Sequence, residues 1–430
     1  MVVTPAALAH AEDLADFVSA SPSSYHAAAE VARRLEEVGF TRLDELEDWP
    51  AQPGGRFVVV RDGAVIAWIV PADAAPTVPA QILGAHTDSP GFKLKPQPTT
   101  GSRGWLQAGV EVYGGPLLNS WLDRELRLAG RLALADGSVV LADTGALLRL
   151  PQLAIHLDRE ANKALTLDKQ MQTQPVWGLG DPLEEDLLGE LAASAGVNAG
   201  DVRGFDAVVA DSARGAVFGK DSAFFASGRL DDLASVHAGT VALAGASTGS
   251  ATGSGSIAVL AAFDHEELGS ASRSGAAGPF LEDVLSRVYA GLGADATEQR
   301  RAYAASWHLS SDVGHSVHPN YVFKHDPVVQ PLLGSGPILK INANQRYATD
   351  AVGAAAWASW CESAGVASQE FVSNNSVPCG STIGPITATR LGIRTVDVGI
   401  PILSMHSARE LAGVSDLHDL TRVAEAFFSA

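Results

Sequence analysis

The apolar and polar positions divide the chain into three stretches of different rhythm. Residues 5–19 and 22–38 carry leucines and alanines at helical spacing, with serines at the second start, and predict two helices. FVVVRDGAVIAWIV (57–70) is two β-branched runs joined through Asp62-Gly63, the pattern of a hairpin. A short apolar run from Ile82 ends in His86 and Asp88 and is stopped by Pro90-Gly91. From about Lys95 to Ser227 the runs are short and alternating (LQAGVEVYGG, ELRLAGRLAL, SVVLAD), with frequent Gly and Asp, and predict β-rich structure. After Gly228 the alternation of apolar strands and helical segments returns. It runs through the helix LDDLASVHAGTVALAGA, the strand SIAVLAAF, a helix near 279–289 and the strands WHLSS and PILKIN. Helices at 349–364 and 382–391, the strand RTVDVGI and a helix at 415–428 follow. This is the pattern of an α/β unit with a mixed or parallel sheet, interrupted by a β-rich insertion. ASTGSATGSGS (246–256) predicts a flexible surface loop.

Composition narrows the class. A chain of 430 residues allows about two to three domains. With 18% charged and 46% hydrophobic residues, it has ample material for large cores. The 49 acidic and 30 basic residues leave a formal charge of −19, which disfavours phosphate backbones and anionic membranes. No nucleic-acid or membrane partner is therefore expected. Cys361 and Cys379 are too few for a disulfide framework or a thiolate zinc site and suit a reducing cytoplasm. No run approaches the 18 or so apolar residues of a membrane span, and the acidic N-terminal stretch is not that of a signal peptide.

Candidate chemistry sits where the apolar runs stop. AVLAAF ends abruptly on Asp264, His265, Glu266 and Glu267. Adjacent residues on an extended chain point opposite ways, so the two glutamates are expected to divide the work: one on a metal, the other moving protons. A solvated acidic turn is the alternative. The zinc-helix motif H-E-x-x-H fails here, because Gly269 stands in place of its second histidine, and GAVFGKD (215–221) is one residue short of a P-loop. His86 follows ILGA, Asp312 follows WHLSS, and His406 follows RTVDVGI and the loop PILSM. Ligands in open α/β sheets bind beyond the carboxyl ends of strands, so these residues would converge on one rim. Asp231 starts a helix in GRLDDLASV, as an N-cap or as a fifth member of that group. Two histidines and three carboxylates suit a pair of zinc-like ions with one carboxylate bridging.

Several segments carry a family resemblance: GAHTDSP (84–90), GRLDD (228–232), FDHEELGS (263–270), SSDVGHSVHPNY (310–321), QRYA (345–348), PCGSTIGP (378–385) and MHSARE (405–410). With VEVYGG (110–115) and LAIHLDR (153–159) in the insertion, they resemble in order the M18 aminopeptidases, the aspartyl aminopeptidase family, from about residue 20 to the C-terminus. The resemblance implies a cytoplasmic metallo-aminopeptidase with two zinc ions per subunit, acting on peptides and preferring N-terminal Asp or Glu. It implies a zinc-exopeptidase-like α/β/α catalytic domain with a mixed sheet, residues 1–94 and 228–430. A β-rich dimerisation domain, residues 95–227, would build a homododecamer of dimers. By similarity His86, Asp231 and Asp312 would hold one metal, and Asp231, Glu267 and His406 the other. Glu266 would be the general base toward the attacking water, with Asp88 orienting His86. Lys340 would meet the acidic substrate side chain, and a strand-edge lysine snorkelling to solvent is the alternative. His156 would reach a neighbouring subunit's active site, and His315 and Tyr347 would lie near the substrate. His318 would support the site; His10, His26, His237, His308, His325 and His418 are expected to be structural or solvated. Asp232 replaces the usual Asn and adds a negative charge; Gln152 and Leu268 are further departures. A dizinc aminopeptidase without acidic preference and a non-catalytic, metal-stabilised scaffold are the competing readings.

Overall fold

The computed structural model describes residues 3–246 and 255–430, so most of the expected Gly/Ser/Thr-rich loop (247–254) lies outside the described residues. Its centre is a nine-stranded sheet. In order the strands are Thr41–Arg42, Arg56–Arg61, Ala64–Ile69, Ile257–Phe263, Ala80–His86, Trp307–Ser311, Arg394–Gly399, Ile338–Lys340 and Gln369–Phe371. The four strands from Ile257–Phe263 to Arg394–Gly399 run parallel, flanked by the antiparallel neighbours Ala64–Ile69 and Ile338–Lys340, so the sheet is mixed. Period-two alternation explains the unbroken apolar run of Ile257–Phe263. Ala258, Leu260 and Ala262 face one layer, packed with residues of the helices Pro5–Ala20, Ser24–Glu37, Leu230–Gly245, Ala351–Ala364 and Val414–Phe428. Ile257, Val259, Ala261 and Phe263 face the other, packed with Phe280–Gly291, Ala296–Ala305 and Ile383–Leu391. The result is an α/β/α sandwich, as the family resemblance implies.

Helix starts obey local chemistry. Thr4 and Ser23 cap the first two helices through their hydroxyls, and Pro5 occupies the first turn, where its missing N–H costs nothing. The helix Ala296–Ala305 was not foreseen, although Asp295 and Glu298 form a reciprocal capping box.

Residues Gly91–Asp211 supply a seven-stranded antiparallel sheet. Its strands Val202–Asp211 and Glu125–Leu134 pair with each other as well, closing a ring. Phe92, Val110, Trp121, Leu126 and Leu128 fill its interior with Leu187 and Leu191 of the helix Leu187–Ser194, which the β-rich pattern of this stretch does not predict. A third, five-stranded sheet joins Ala216–Phe218, Phe224–Ser227, Glu410–Gly413, Pro401–Leu403 and Gly314–His315. Residues 216–227 thus pair with the last third of the chain, through Ser227 opposite Glu410. Among the described residues no helix is long and apolar enough to cross a membrane. Cys361 and Cys379 are unpaired.

Candidate metal centre

Parallel register brings the strand ends level. Phe263 lies opposite His86, and Asp312 follows directly on the strand beside them. Asp231 is buried at the start of the helix Leu230–Gly245, where its backbone and that of Asp232 leave helical geometry. His406 sits in the left-handed region, in the turn between Pro401–Leu403 and Glu410–Gly413.

These segments converge. His86 Nε2 lies 3.0 Å from Asp231 Oδ1 and 4.0 Å from Asp312 Oδ1. His406 Nε2 lies 3.5 Å from both Asp231 Oδ2 and Glu267 Oε2. Asp231 therefore stands between the two imidazoles, one oxygen toward each. Ligand atoms of His86, Asp231 and Glu267 fall within 4.8 Å of one another, as do those of His86, Asp232 and Asp312. In the second group Asp232 takes the place expected for Asp231.

The electrostatics demand a cation. The carboxylates of Asp88, Asp231, Asp232, Glu266, Glu267 and Asp312 crowd around two imidazoles and the Lys340 ammonium. Burial, reinforced by Asp231, pushes Glu267 well above the usual carboxylate range. Burial also raises Asp232 and Asp312, and lifts Glu266 to about 7. Asp231 goes the other way: burial opposes its charge, but His406 and His86 hold it below the usual range. Asp232 Oδ1 and Glu267 Oε1 are buried without hydrogen-bond partners among the described residues. Asp231 Oδ1 faces His86 Nε2 at 3.0 Å yet is in no hydrogen bond among the described residues. Buried orphan oxygens beside an imidazole nitrogen are the donor set of a divalent metal, and the residues fit zinc.

Surrounding hydrogen bonds orient the donors. His406 Nδ1 lies 3.0 Å from the Gly115 carbonyl, which leaves Nε2 free to face the carboxylates. His86 Nδ1 lies 3.0 Å from the Asp88 backbone carbonyl and 3.5 Å from its carboxylate. The backbone of Asp88, more than its side chain, thus orients His86, and the carboxylate instead accepts from Glu266 N (3.0 Å), Glu267 N (3.2 Å) and Tyr113 Oη (2.8 Å). Glu266 and Glu267 lie on a 3-10 turn, with His265 in the left-handed region, so the extended-chain premise for their divergence does not hold. The side chains still part: Glu267 faces His406, whereas the Glu266 carboxylate makes no hydrogen bond or ion pair among the described residues. Glu410 had not been singled out. Buried on its short strand, it accepts from Asp231 N at 3.0 Å and His406 N at 2.8 Å, tying together two segments of the site.

The remaining expected residues spread outward. Lys340 is 2% exposed on an interior strand, which excludes a snorkelling edge lysine. Its ammonium donates to the Val313 carbonyl at 2.9 Å and lies 3.9 Å from Asp312 and 5.5 Å from the Tyr347 ring. His315 and Tyr347 line a cavity of about 260 Å³ with Phe371 and Cys379. His318 lines it too, and so does His325, expected to be structural, which accepts from the His318 backbone N–H at 3.1 Å. His156 is exposed in the insertion and is not brought to the cluster within this chain. His10, His237 and His418 pack together, with centroids 4.8 and 5.7 Å from His10, away from the site.

Comparison with known proteins fits this geometry. The model of the family described as Aminopeptidase I zinc metalloprotease (M18) matches residues 17–428. A Streptomyces coelicolor protein named probable M18 family aminopeptidase 2 is 53% identical over 425 residues, 97% of each chain. A solved structure of the Ape4 and Nbr1 complex contains a chain 34% identical to this one, with a TM-score of 0.94, covering 100% of this chain and 88% of that one. The S. cerevisiae mApe1 dodecamer is 29% identical with a TM-score of 0.83, covering 97% and 96%. With a family model spanning nearly its whole length and a zinc-fitting cluster at its strand ends, this chain belongs to the M18 aminopeptidases, hydrolases of the zinc metalloprotease class.

Proposed function

We propose that the protein is a dizinc aminopeptidase that removes N-terminal acidic residues from peptides. The observation that carries this reading is Asp231 placed between His86 and His406, with one oxygen facing each ring. His86, Asp231 and Asp312 would hold one zinc, and Asp231, Glu267 and His406 the other, with Asp231 contributing to both. When bound, the ions would supply Lewis-acid polarisation of the scissile carbonyl and acidify a water. Glu266, whose carboxylate has no hydrogen bond or ion pair among the described residues and is raised by burial to about 7, would accept a proton near neutral pH and return it to the leaving amine. Asp88 fixes the turn from which Glu266 and Glu267 diverge.

Acidic selectivity is supported by Lys324, which lines the 260 Å³ cavity, and by the rings of His315, His318 and His325 beside it; burial lowers His315 to about 4, so its ring is a neutral hydrogen-bonding group near pH 7. Lys340 would add its field from beneath, where it already meets Asp312. That contact favours a second reading, broad specificity, in which Lys340 serves only to hold Asp312. A panel of chromogenic substrates differing only in N-terminal Asp, Glu or Leu separates the two; faster leucine release defeats the acidic preference. Metal analysis should give two zinc ions per chain, and turnover surviving thorough chelation would defeat the metal chemistry.

The assembly would be a homododecamer of dimers in the cytoplasm, with residues 95–227 as the oligomerisation domain of a catalytic unit formed by 1–94 and 228–430. Support comes from exposed apolar side chains that a lone chain would not leave to water: Leu153, Ile155, Leu157 and Met171 in the insertion, and Tyr321, Phe323 and Val328 in the catalytic part. His156 lies among the first group, placed to be carried toward a neighbouring copy. Sedimentation of the purified protein tests this; a stable monomer would contradict it.

A further inference from the structure

The inserted sheet touches the metal centre directly. Tyr113 ends the strand Trp105–Tyr113 and pairs with Gly91, just after the strand that ends on His86 and the loop that carries Asp88. Its hydroxyl donates to Asp88 Oδ2 at 2.8 Å, the oxygen that also accepts from Glu267 N at 3.2 Å; Oδ1 accepts from Glu266 N at 3.0 Å. The next residues press on the same place. Gly114 has φ +66°, and a Cβ there would lie 3.2 Å from Glu267 Cβ. The Gly115 carbonyl faces His406 Nδ1 at 3.0 Å, and Leu117 N donates to the His406 carbonyl at 2.9 Å.

We infer that Tyr113 is a positioning residue for hydrolysis: acting through Asp88, it fixes the turn that aims Glu266 and Glu267. This rests on the roles proposed above for those two glutamates. A carboxylate side chain turns about its terminal torsion unless its oxygens are held, and that torsion is broad. The Tyr113 hydroxyl shares Oδ2 with Glu267 N, so the carboxylate that receives both turn amides is held by a third donor. Burial, with Asp88 and Asp264 nearby, pushes the phenol above its ordinary range, so it stays a donor. The insertion is therefore part of the catalytic apparatus as well as a handle for assembly.

Tyr113→Phe removes the hydroxyl and keeps the ring. The variant should retain wild-type metal content and a KM within about twofold, while kcat falls about 10- to 100-fold, the usual cost of losing an outer partner. In an Asp88→Asn background the same change should cost nothing further, because the route through Asp88 is already broken. Hydrogen–deuterium exchange of segment 264–270 in the chelated, metal-free protein should be faster in Tyr113→Phe, and also in Asp88→Asn alone. The inference is overturned if kcat stays within about twofold and exchange is unchanged, if the losses in the double variant multiply, or if KM rises while kcat does not fall. Should the wild-type protein release no N-terminal residue from any peptide, the aminopeptidase reading fails, while the exchange measurement still decides whether Tyr113 holds the turn.

Discussion

Glu266 and Glu267 are neighbours in sequence with unlike surroundings. Glu267 is 5% exposed at its side chain and faces His406, so its charge needs a metal. Among the described residues the Glu266 carboxylate has no hydrogen bond or ion pair to lose. Glu266→Gln should leave metal content unchanged and lower turnover about 100- to 10,000-fold, the range expected for a general base. Glu267→Gln should release metal, read by elemental analysis of the dialysed protein. Equal metal loss in both variants would contradict the division of labour. The reasons the glutamates could be found explain why others could not. A charged pair ending a fully buried apolar run is a local anomaly visible in one sequence, as are His86 and Asp312 at the ends of their strands. Glu410 and Tyr113 break no local pattern. Glu410 follows Arg409 at the start of a four-residue strand too short to read from pattern, and its meaning comes from amides at Asp231 and His406. Asp232 stands out in the sequence only as a departure from the usual Asn; its burial against His86 N at 3.2 Å is visible only once the helix start is folded.

Among the elements, long strands with one character were legible, because a parallel strand buried on both faces has no other explanation for its apolar run. Three-residue strands such as Pro401–Leu403 are below the length at which periodicity can be read. The helix Ala296–Ala305 buries only Ala302 and Tyr303 and exposes a charged face, so its apolar stripe is too thin to notice. Close approach is equally invisible to pattern. Gly399 ends the strand Arg394–Gly399, and a Cβ there would overlap the Asp312 carbonyl. Its absence lets Asp312 pass close to the neighbouring strand and turn its carboxylate toward His86. Gly399→Ala should destabilise the fold by about 1–3 kcal/mol, as overpacking does, and lower the affinity for metal through displaced Asp312. Thermal unfolding of the chelated protein isolates the first effect, and zinc titration the second. An unchanged melting temperature would show that the backbone yields without cost.

At the scale of the whole molecule, the sequence showed an α/β unit with a β-rich insertion, but not how the third sheet ties residues 216–227 to 401–413, since that pairing spans nearly two hundred positions. The same long-range packing governs response to acid. His308 lies on a central strand, 0% exposed, its Nε2 without a hydrogen-bond partner among the described residues and close against Gly84. Burial lowers its pKa to about 3. His10 and His26 are also lowered, to about 3 and about 4, by burial first of all. Each stays neutral in the folded chain down to that value, whereas the unfolded histidine takes a proton below about 6.5. Between those limits the unfolded state binds more protons, so the stability from a neutral buried ring is fully present above about 6.5 and is lost progressively as pH falls. For His308 the loss should reach about 2 kcal/mol per chain at pH 5, about 1.4 kcal/mol for each pH unit below 6.5. His308→Gln cannot titrate. It should be less stable than wild type at pH 7 through imperfect packing, yet its drop in denaturant stability from pH 7 to pH 5 should be smaller by about 2 kcal/mol, measured on chelated protein so that the metal histidines do not move with zinc. An identical drop in both proteins would mean that His308 gains its proton without unfolding, and that the strand beside the catalytic rim opens to water far more readily than its burial implies.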